Sequence, residues 1–396
     1  MKVTTSCSGR FHIFDQAFQL HRLGVLHRFI NDYPKRMTRQ WDIPDNKVVS
    51  LIANGILGRM TRMIPQFAGY EMKSRVVERV HHLFSRRLAK YVPSDTDVFI
   101  GLSSFCLEAL HRAKDYGIIT VVDHGSMHQR TERKLLEEEG RLHNLTMESL
   151  APQWIIEKED EEFHAADIVM VLSNAAKQSL VQEGISEDKI FVNHCGVNLS
   201  QFVSFSKEDD GIFKVIYCGN TSLRKGVHYL LQAFTELRLK NAELLLIGSL
   251  PTRKFSKLIE KYKVDNVCFM GTFPQSKLHK IYAQGSVFVL PSIADGFGMV
   301  VPQAMACGLP VIVTENVGAA DIVTEGADGF IVPVRDVDAL KERILWLYKQ
   351  PELRKSMGHA AMAKAKSELS WDAYGDRLVE FLEKCRTNTN ALSKLT

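Results

Sequence analysis

The chain has 396 residues, 45% of them hydrophobic and 24% charged, which is the composition of a globular protein and excludes a disordered one. At roughly 150 residues per domain, two or three domains are expected. No apolar run approaches the 18 or so residues of a spanning helix, and Met1-Lys2-Val3-Thr4-Thr5-Ser6 lacks a hydrophobic signal core. Seven cysteines without C-x-x-C spacing argue against a disulfide framework or zinc ribbon, so a cytoplasmic location is expected.

The net charge of +4 conceals an uneven distribution. Residues 1–92 hold 5 Lys and 11 Arg against 4 Asp and 2 Glu, whereas the remainder holds 34 basic and 40 acidic residues. Positive charge concentrated in one half points to a polyanionic partner, either nucleic acid or an anionic membrane surface.

In chain order, Lys2 to Ser6 reads as an opening strand and Ser8-Gly9-Arg10 as the turn after it. Phe11 to Asn31 repeats apolar residues at three and four spacing, which predicts one amphipathic helix. Residues 53–91 read as one or two basic helices interrupted at Pro65. Buried strands are predicted at Asp97 to Leu102, Ile118 to Val122 and Asp167 to Leu172. A helix capped by Ser173 then runs to Glu183, and Ile190 to Asn193 is the next strand.

A polar, turn-rich stretch over 198–211 reads as a linker. Beyond it, strands at Phe213 to Cys218, Glu243 to Gly248, Val267 to Met270, Val287 to Leu290 and Val311 to Thr314 alternate with helical stretches. That alternation means βαβ units and a parallel sheet. The fold class is therefore α/β, with two Rossmann-like domains at 1–200 and 201–368 and a polar tail at 387–396.

Four segments carry candidate chemistry. In the first, a strand ends at Leu290, and Asp295-Gly296-Phe297-Gly298-Met299 leads into a helix with Pro302 in its first turn. Exposed amides at a helix start on the carboxyl edge of a parallel sheet suit a diphosphate, although glycines there also serve close packing. In the second, Gly219-Asn220-Thr221-Ser222-Leu223-Arg224-Lys225 follows a buried strand and brings two cations to the same edge. A guanidinium fork fits phosphate oxygens. The third is Asp123-His124-Gly125-Ser126-Met127-His128 after a strand of the first domain. The fourth is Gly9, where the backbone can approach a sugar or phosphate, or simply turn.

The stretch from Leu290 to Val313, continued by Asn316-Val317-Gly318-Ala319-Ala320-Asp321-Ile322-Val323 and Gly329-Phe330-Ile331-Val332-Pro333, resembles the donor-site signature of retaining glycosyltransferase family 4. The resemblance runs from about Asp167 to Trp371. It implies the GT-B architecture, two Rossmann-like domains facing across a cleft, with a helix over 369–386 crossing back to the first. It also implies metal-independent hexosyl transfer from a nucleotide sugar, with the nucleotide sugar as co-substrate and no cofactor.

By the same resemblance, Asp295 stands where the family's first acid holds donor-sugar hydroxyls, and Gln303 stands where a second acid holds the ribose. Lys225 is the diphosphate ligand. Asn220 replaces a family Arg, whose part adjacent Arg224 can take. His124 is the counterpart of a His that faces the donor sugar, with His128 as its rival. Backbone near Gly271 to Phe273 meets the base. Asp295 for Glu, Gln303 for an acid and Asn220 for Arg keep a degenerate, non-catalytic nucleotide-sugar-binding subunit open as an alternative, followed by a GT-B epimerase or phosphorylase.

No metal is expected. His124 and His128 lack the H-E-x-x-H pattern. The D-x-D at Asp95-Thr96-Asp97 begins a strand, and that at Asp336-Val337-Asp338 begins a helix. Absence of G-x-G-x-x-G and G-x-S-x-G argues against an NAD dehydrogenase and a serine hydrolase. The expected partners are a nucleotide-sugar donor and a glycan or lipid-linked acceptor. No recognised fold supports nucleic acid, so the cations of 1–92, interleaved with apolar residues, fit either an anionic membrane face or simple solvation.

Overall fold

The computed structural model describes residues 1–64, 69–145, 150–202, 210–262 and 264–392. Pro65 and most of the linker, 203–209, lie outside the described residues. Among the described residues thirteen strands build two sheets. The first contains β1 (Val3–Cys7), β2 (Leu26–Asn31), β3 (Val48–Ser50), β4 (Val98–Leu102), β5 (Ile119–His124), β6 (Ile168–Val171) and β7 (Ile190–Val192), in the order β3-β2-β1-β4-β5-β6-β7. The second contains β8 (Phe213–Cys218), β9 (Ala242–Ile247), β10 (Val267–Gly271), β11 (Val287–Leu290), β12 (Val311–Thr314) and β13 (Gly329–Val332), in the order β10-β9-β8-β11-β12-β13. Every pairing within both sheets is parallel.

β1, β4 and β11, in the middle of their sheets, are buried along their whole length because helices cover both faces of a parallel sheet. In each sheet the strand order reverses beside its first strand, between β1 and β4 and between β8 and β11. Loops at the carboxyl ends of such neighbours diverge to opposite faces and leave a crevice, the usual ligand position of an open α/β sheet.

The first helix departs from the sequence reading, and β3 and β13 have no counterpart in it. Phe11 to Asn31 is not a single helix: the helix spans Ile13–Arg22 and is followed by β2. Gly24, at φ +75°, turns the chain back, and Leu26, Phe29 and Ile30 then pack into the core on both faces of the sheet.

The last helix, Trp371–Leu392, continues past Thr387. Tyr374, Leu378 and Leu382 on it are fully buried against Ile13, Phe14 and Val98, in the core of the first domain. A Cβ on Gly375 would lie 2.7 Å from Gln19 Cβ, so the helix contacts helix Ile13–Arg22 at close range. The D-x-D residues are structural: Asp95 pairs with Lys2 and His27, and Asp336 caps helix Val337–Lys349 through the Ala339 amide at 2.8 Å.

Candidate functional site

The loops after β8 and β11 interleave at the switch point of the second sheet. Leu223–Lys225 forms one turn of 3-10 helix, and Gly226 follows with no room for a side chain, since a Cβ there would lie 1.8 Å from the Pro291 carbonyl oxygen. The loop after β11 is thereby held against the turn: the Ile293 amide donates to the Arg224 carbonyl at 2.8 Å, and Arg224 Nη1 donates to the Ala294 carbonyl at 3.2 Å. Lys225 Nζ ends on the carboxylate of Asp295. The loop after β12 closes the third side, where the Gly318 amide donates to the Asp295 carbonyl at 2.9 Å. Arg224, Lys225, Asp295 and Gly296 to Gly298 therefore form one cluster.

The first domain meets this cluster directly. A Cβ on Gly296 would lie 2.2 Å from the Gly125 carbonyl oxygen and 2.5 Å from Ser126 Cα. Ser173 Oγ donates to the Gly296 carbonyl at 2.8 Å while accepting from the Ala176 amide at 3.1 Å, so one hydroxyl caps a first-domain helix and docks the second domain. The Asn174 amide and His194 Nε2 both meet Asp321, at 2.6 and 2.9 Å. Gly296 thus serves close packing between domains, and Phe297 is buried beside the His194 ring, 6.1 Å between centroids.

His124, at the end of β5, is 1% exposed. The Met127 carbonyl can only accept, which puts the proton on Nε2 (3.2 Å), and Nδ1 then accepts from Ser103 Oγ at 2.9 Å. Burial pushes its pKa down to about 4, so the ring is neutral. Its contribution to the cleft is the loop behind it, Gly125-Ser126. His128 is enclosed in the first domain: it caps helix Gln129–Leu142, Nδ1 accepting from the Arg130 amide at 3.1 Å and Nε2 reaching Asp160 at 2.8 Å.

The remaining sites lie around this centre. The Gly9 amide donates to Asp32 at 3.0 Å, just beyond β1. The Gly219 amide extends the β8–β9 ladder to Ile247 at 2.8 Å. Asn220 is exposed, with Oδ1 accepting from Ser249 at 3.3 Å. Phe273 is half-buried against the second-domain core. Met299 and Gln303 line a cleft of about 630 Å³ between the domains, opposite Arg10, Asp15, Trp41 and Trp371. Gln303 is 5% exposed, and its Oε1 has no hydrogen-bond partner among the described residues.

Two features escaped the sequence reading. Glu132, on helix Gln129–Leu142, reaches to 3.9 Å from Arg224 Nη1. Burial raises its pKa and Arg224 opposes the rise. Nothing in the chain distinguishes Glu132 from its acidic neighbours, such as Glu137 and Glu138. The second is His12, whose Nε2 lies 3.0 Å from the fully buried Asp123 and whose Cε1 would touch a Cβ on Gly125 at 3.7 Å. Burial would lower the pKa of His12, but Asp123 overrides it and the net shift is upward. Asp123 precedes His124 in the segment already singled out, and that adjacency was the available signal.

Residues 201–364 match the family model of glycosyl transferases group 1. The chain is 29% identical over 211 residues to a GDP-mannose-dependent monoacylated alpha-(1-6)-phosphatidylinositol monomannoside mannosyltransferase of Corynebacterium glutamicum, covering 48% of this chain and 54% of that protein. It is 31% identical over 230 residues to the capsular polysaccharide biosynthesis glycosyltransferase CapM of Staphylococcus aureus, covering 52% and 59%. The chain thus spans a little over half the length of these curated relatives. The crystal structure of Anabaena HepE in complex with UDP superposes with a TM-score of 0.67 at 15% identity, covering 97% of this chain and all of that one. The chain has the GT-B fold, and within it residues 201–364 are similar to the glycosyl transferases group 1 model.

Proposed function

We propose that the protein transfers a hexose-type sugar from a nucleotide-diphosphate donor to a hydroxyl of a glycan or lipid-linked acceptor, without a metal cofactor and with retention at the anomeric carbon. The observation that carries this reading is the largely buried Lys225–Asp295 pair beside Arg224, at the carboxyl ends of the strands that flank the switch point. In this reaction the diphosphate lies against Lys225 and Arg224. Their charges offset the negative charge that grows as the bond between the anomeric carbon and the diphosphate oxygen breaks. Asp295, freed from Lys225, accepts hydrogen bonds from sugar hydroxyls.

Gln303 meets the ribose, where a hydroxyl satisfies its unpartnered Oε1. The acceptor oxygen attacks on the face the diphosphate leaves, and its proton passes to a departing phosphate oxygen, so no protein nucleophile takes part. Positioning by the closed domain contact does the rest. A relative named for GDP-mannose and a neighbour bound to UDP leave both bases as candidates, met near Gly271 to Phe273.

The acceptor is held at an anionic membrane face. Among the described residues no helix is long and apolar enough to cross a membrane. Helices Ile52–Met60 and Tyr70–Ala89 pack together; Met60, Tyr70 and Met72 on them and Met63 in the turn after the first are more than half exposed, and Arg59, Arg75, Arg79 and Arg86 on the same helices are exposed too. Apolar side chains flanked by cations suit the lipid interface. Arg87 lies outside that set, since its Nη1 donates to Asn54 at 2.8 Å.

Incubation with UDP-, GDP-, ADP- and CMP-sugars, with nucleotide release as the readout, tests the reading. Release by the wild type that is lost in Lys225→Ala supports transfer. Nucleotide binding with no turnover of any donor favours the degenerate subunit, which the exposed Asn220 at the family's Arg position motivates.

A further inference from the structure

Away from the donor cleft the domains share a second polar cluster. The last turn of helix Gln129–Leu142 leaves the first domain and carries Glu139, which is fully buried, into the second. His143 lies one helical turn on, so the two side chains share a face. His228 comes from the start of helix Val227–Leu237. Its Nε2 is 2.9 Å from Glu139 Oε1, and His143 Nε2 is 3.1 Å from the same oxygen. The three ligand atoms lie within 4.8 Å of one another. The Tyr229 hydroxyl adds a fourth polar atom, 2.8 Å from Glu139 Oε1 and 3.3 Å from His143 Nε2.

Three groups therefore converge on one carboxylate oxygen, which has two lone pairs. The other oxygen, Oε2, is taken by Arg335 Nε at 2.7 Å, and Arg335 is itself held by Glu138 at 3.0 Å. This second layer fixes the carboxylate so that Oε1 faces the imidazoles, the arrangement outer partners impose on metal ligands. A tetrahedral site with zinc–ligand bonds of about 2.0–2.1 Å has edges of about 3.3 Å, close to the separations found here.

We propose that Glu139, His143 and His228 form a structural site for a divalent ion of the zinc class, with Tyr229 beside it, that staples the first domain to the second. The same helix presents Glu132 to Arg224 two turns earlier, so the ion would also fix the geometry of the cleft.

The test uses the untagged full chain, stripped with chelator and desalted. Titration with Zn²⁺ should give one ion per chain by mass spectrometry and calorimetry. Saturating Zn²⁺ should raise Tm by roughly 5 °C. Co²⁺ should give the visible absorption of a tetrahedral nitrogen–oxygen site. His143→Gln and His228→Gln keep a hydrogen-bond donor to Glu139 while removing a ligand, and each should weaken Zn²⁺ binding by about 100-fold or more. His143 is partly exposed, so His143→Gln remains informative if His228→Gln fails to fold. Absence of Zn²⁺ binding at micromolar concentration, or binding unchanged in His143→Gln, overturns the proposal and leaves a hydrogen-bonded contact only.

Discussion

Lys225 and Asp295 are joined in an ion pair with little more than a tenth of either side chain exposed. Each charge depends on the other while the cleft is free of donor, and the arriving diphosphate competes with Asp295 for Lys225. Removing either partner strands a buried charge. Lys225→Ala and Asp295→Ala should each cost about 3 kcal/mol, and the double variant less than their sum. Urea unfolding reads the stability. Donor kcat/KM should fall by about 100-fold or more in both single variants.

Gly296→Ala places a methyl group against backbone atoms of Gly125 and Ser126, which cannot yield as a flexible side chain would. The domains should separate while each keeps its fold. Transfer should fall about 100-fold, with a larger radius of gyration by small-angle scattering and nucleotide binding largely retained. An Ala variant with full activity would sink the packing role of this glycine.

His124 makes stability depend on pH. Its folded pKa, about 4, lies below the unfolded value of about 6.5. Its contribution is therefore complete above pH 6.5 and drains away as the pH falls toward 4, because the unfolded chain takes the proton first. The loss is about 3 kcal/mol over that window. Unfolding free energies of wild type and His124→Asn at pH 7.5 and 4.5 should show a shallower dependence in the variant.

Leu378 is fully buried in the first-domain core although it lies in the last helix. Leu378→Ala should cost about 2–5 kcal/mol, and a chain ending at residue 368 should fail to yield soluble protein. Tm and soluble yield are the measurements.

Arg75, Arg79 and Arg86 are exposed on helix Tyr70–Ala89. With each cation worth about 1 kcal/mol at an anionic surface, changing all three to Glu should abolish sedimentation with phosphatidylserine vesicles at low salt. Wild type that stays in the supernatant, or a triple variant that still sediments, refutes the membrane reading.

The second domain was legible element by element as far as Thr314, whereas β13, the extent of helix Val337–Lys349 and helix Pro351–Glu368 were not read. Val287–Leu290 is wholly apolar, and Phe213–Cys218 and Val311–Thr314 are apolar except at Lys214 and Thr314, with helical stretches between them, because a strand covered on both faces needs few polar residues. β2 was not legible. Leu20, Leu23, Leu26, Phe29 and Ile30 continue a helical spacing through Gly24, and only pairing with β1 converts their second half to strand. β3 has three residues and no periodicity to read.

The site divides the same way. Arg224, Lys225, Asp295 and the following glycines are short segments beside strand ends, and local order alone puts them on one sheet edge. The sequence by itself determined those loops, the two parallel sheets and the charge imbalance of the first 92 residues. Only the tertiary structure decided that Glu132 meets Arg224, that Ser173 docks on Gly296, that His128 is a helix cap, and that Glu139 gathers two histidines. Periodicity reports which face of an element is buried. It carries no record of which group, roughly a hundred residues away, satisfies a buried charge or fills the space of a missing Cβ.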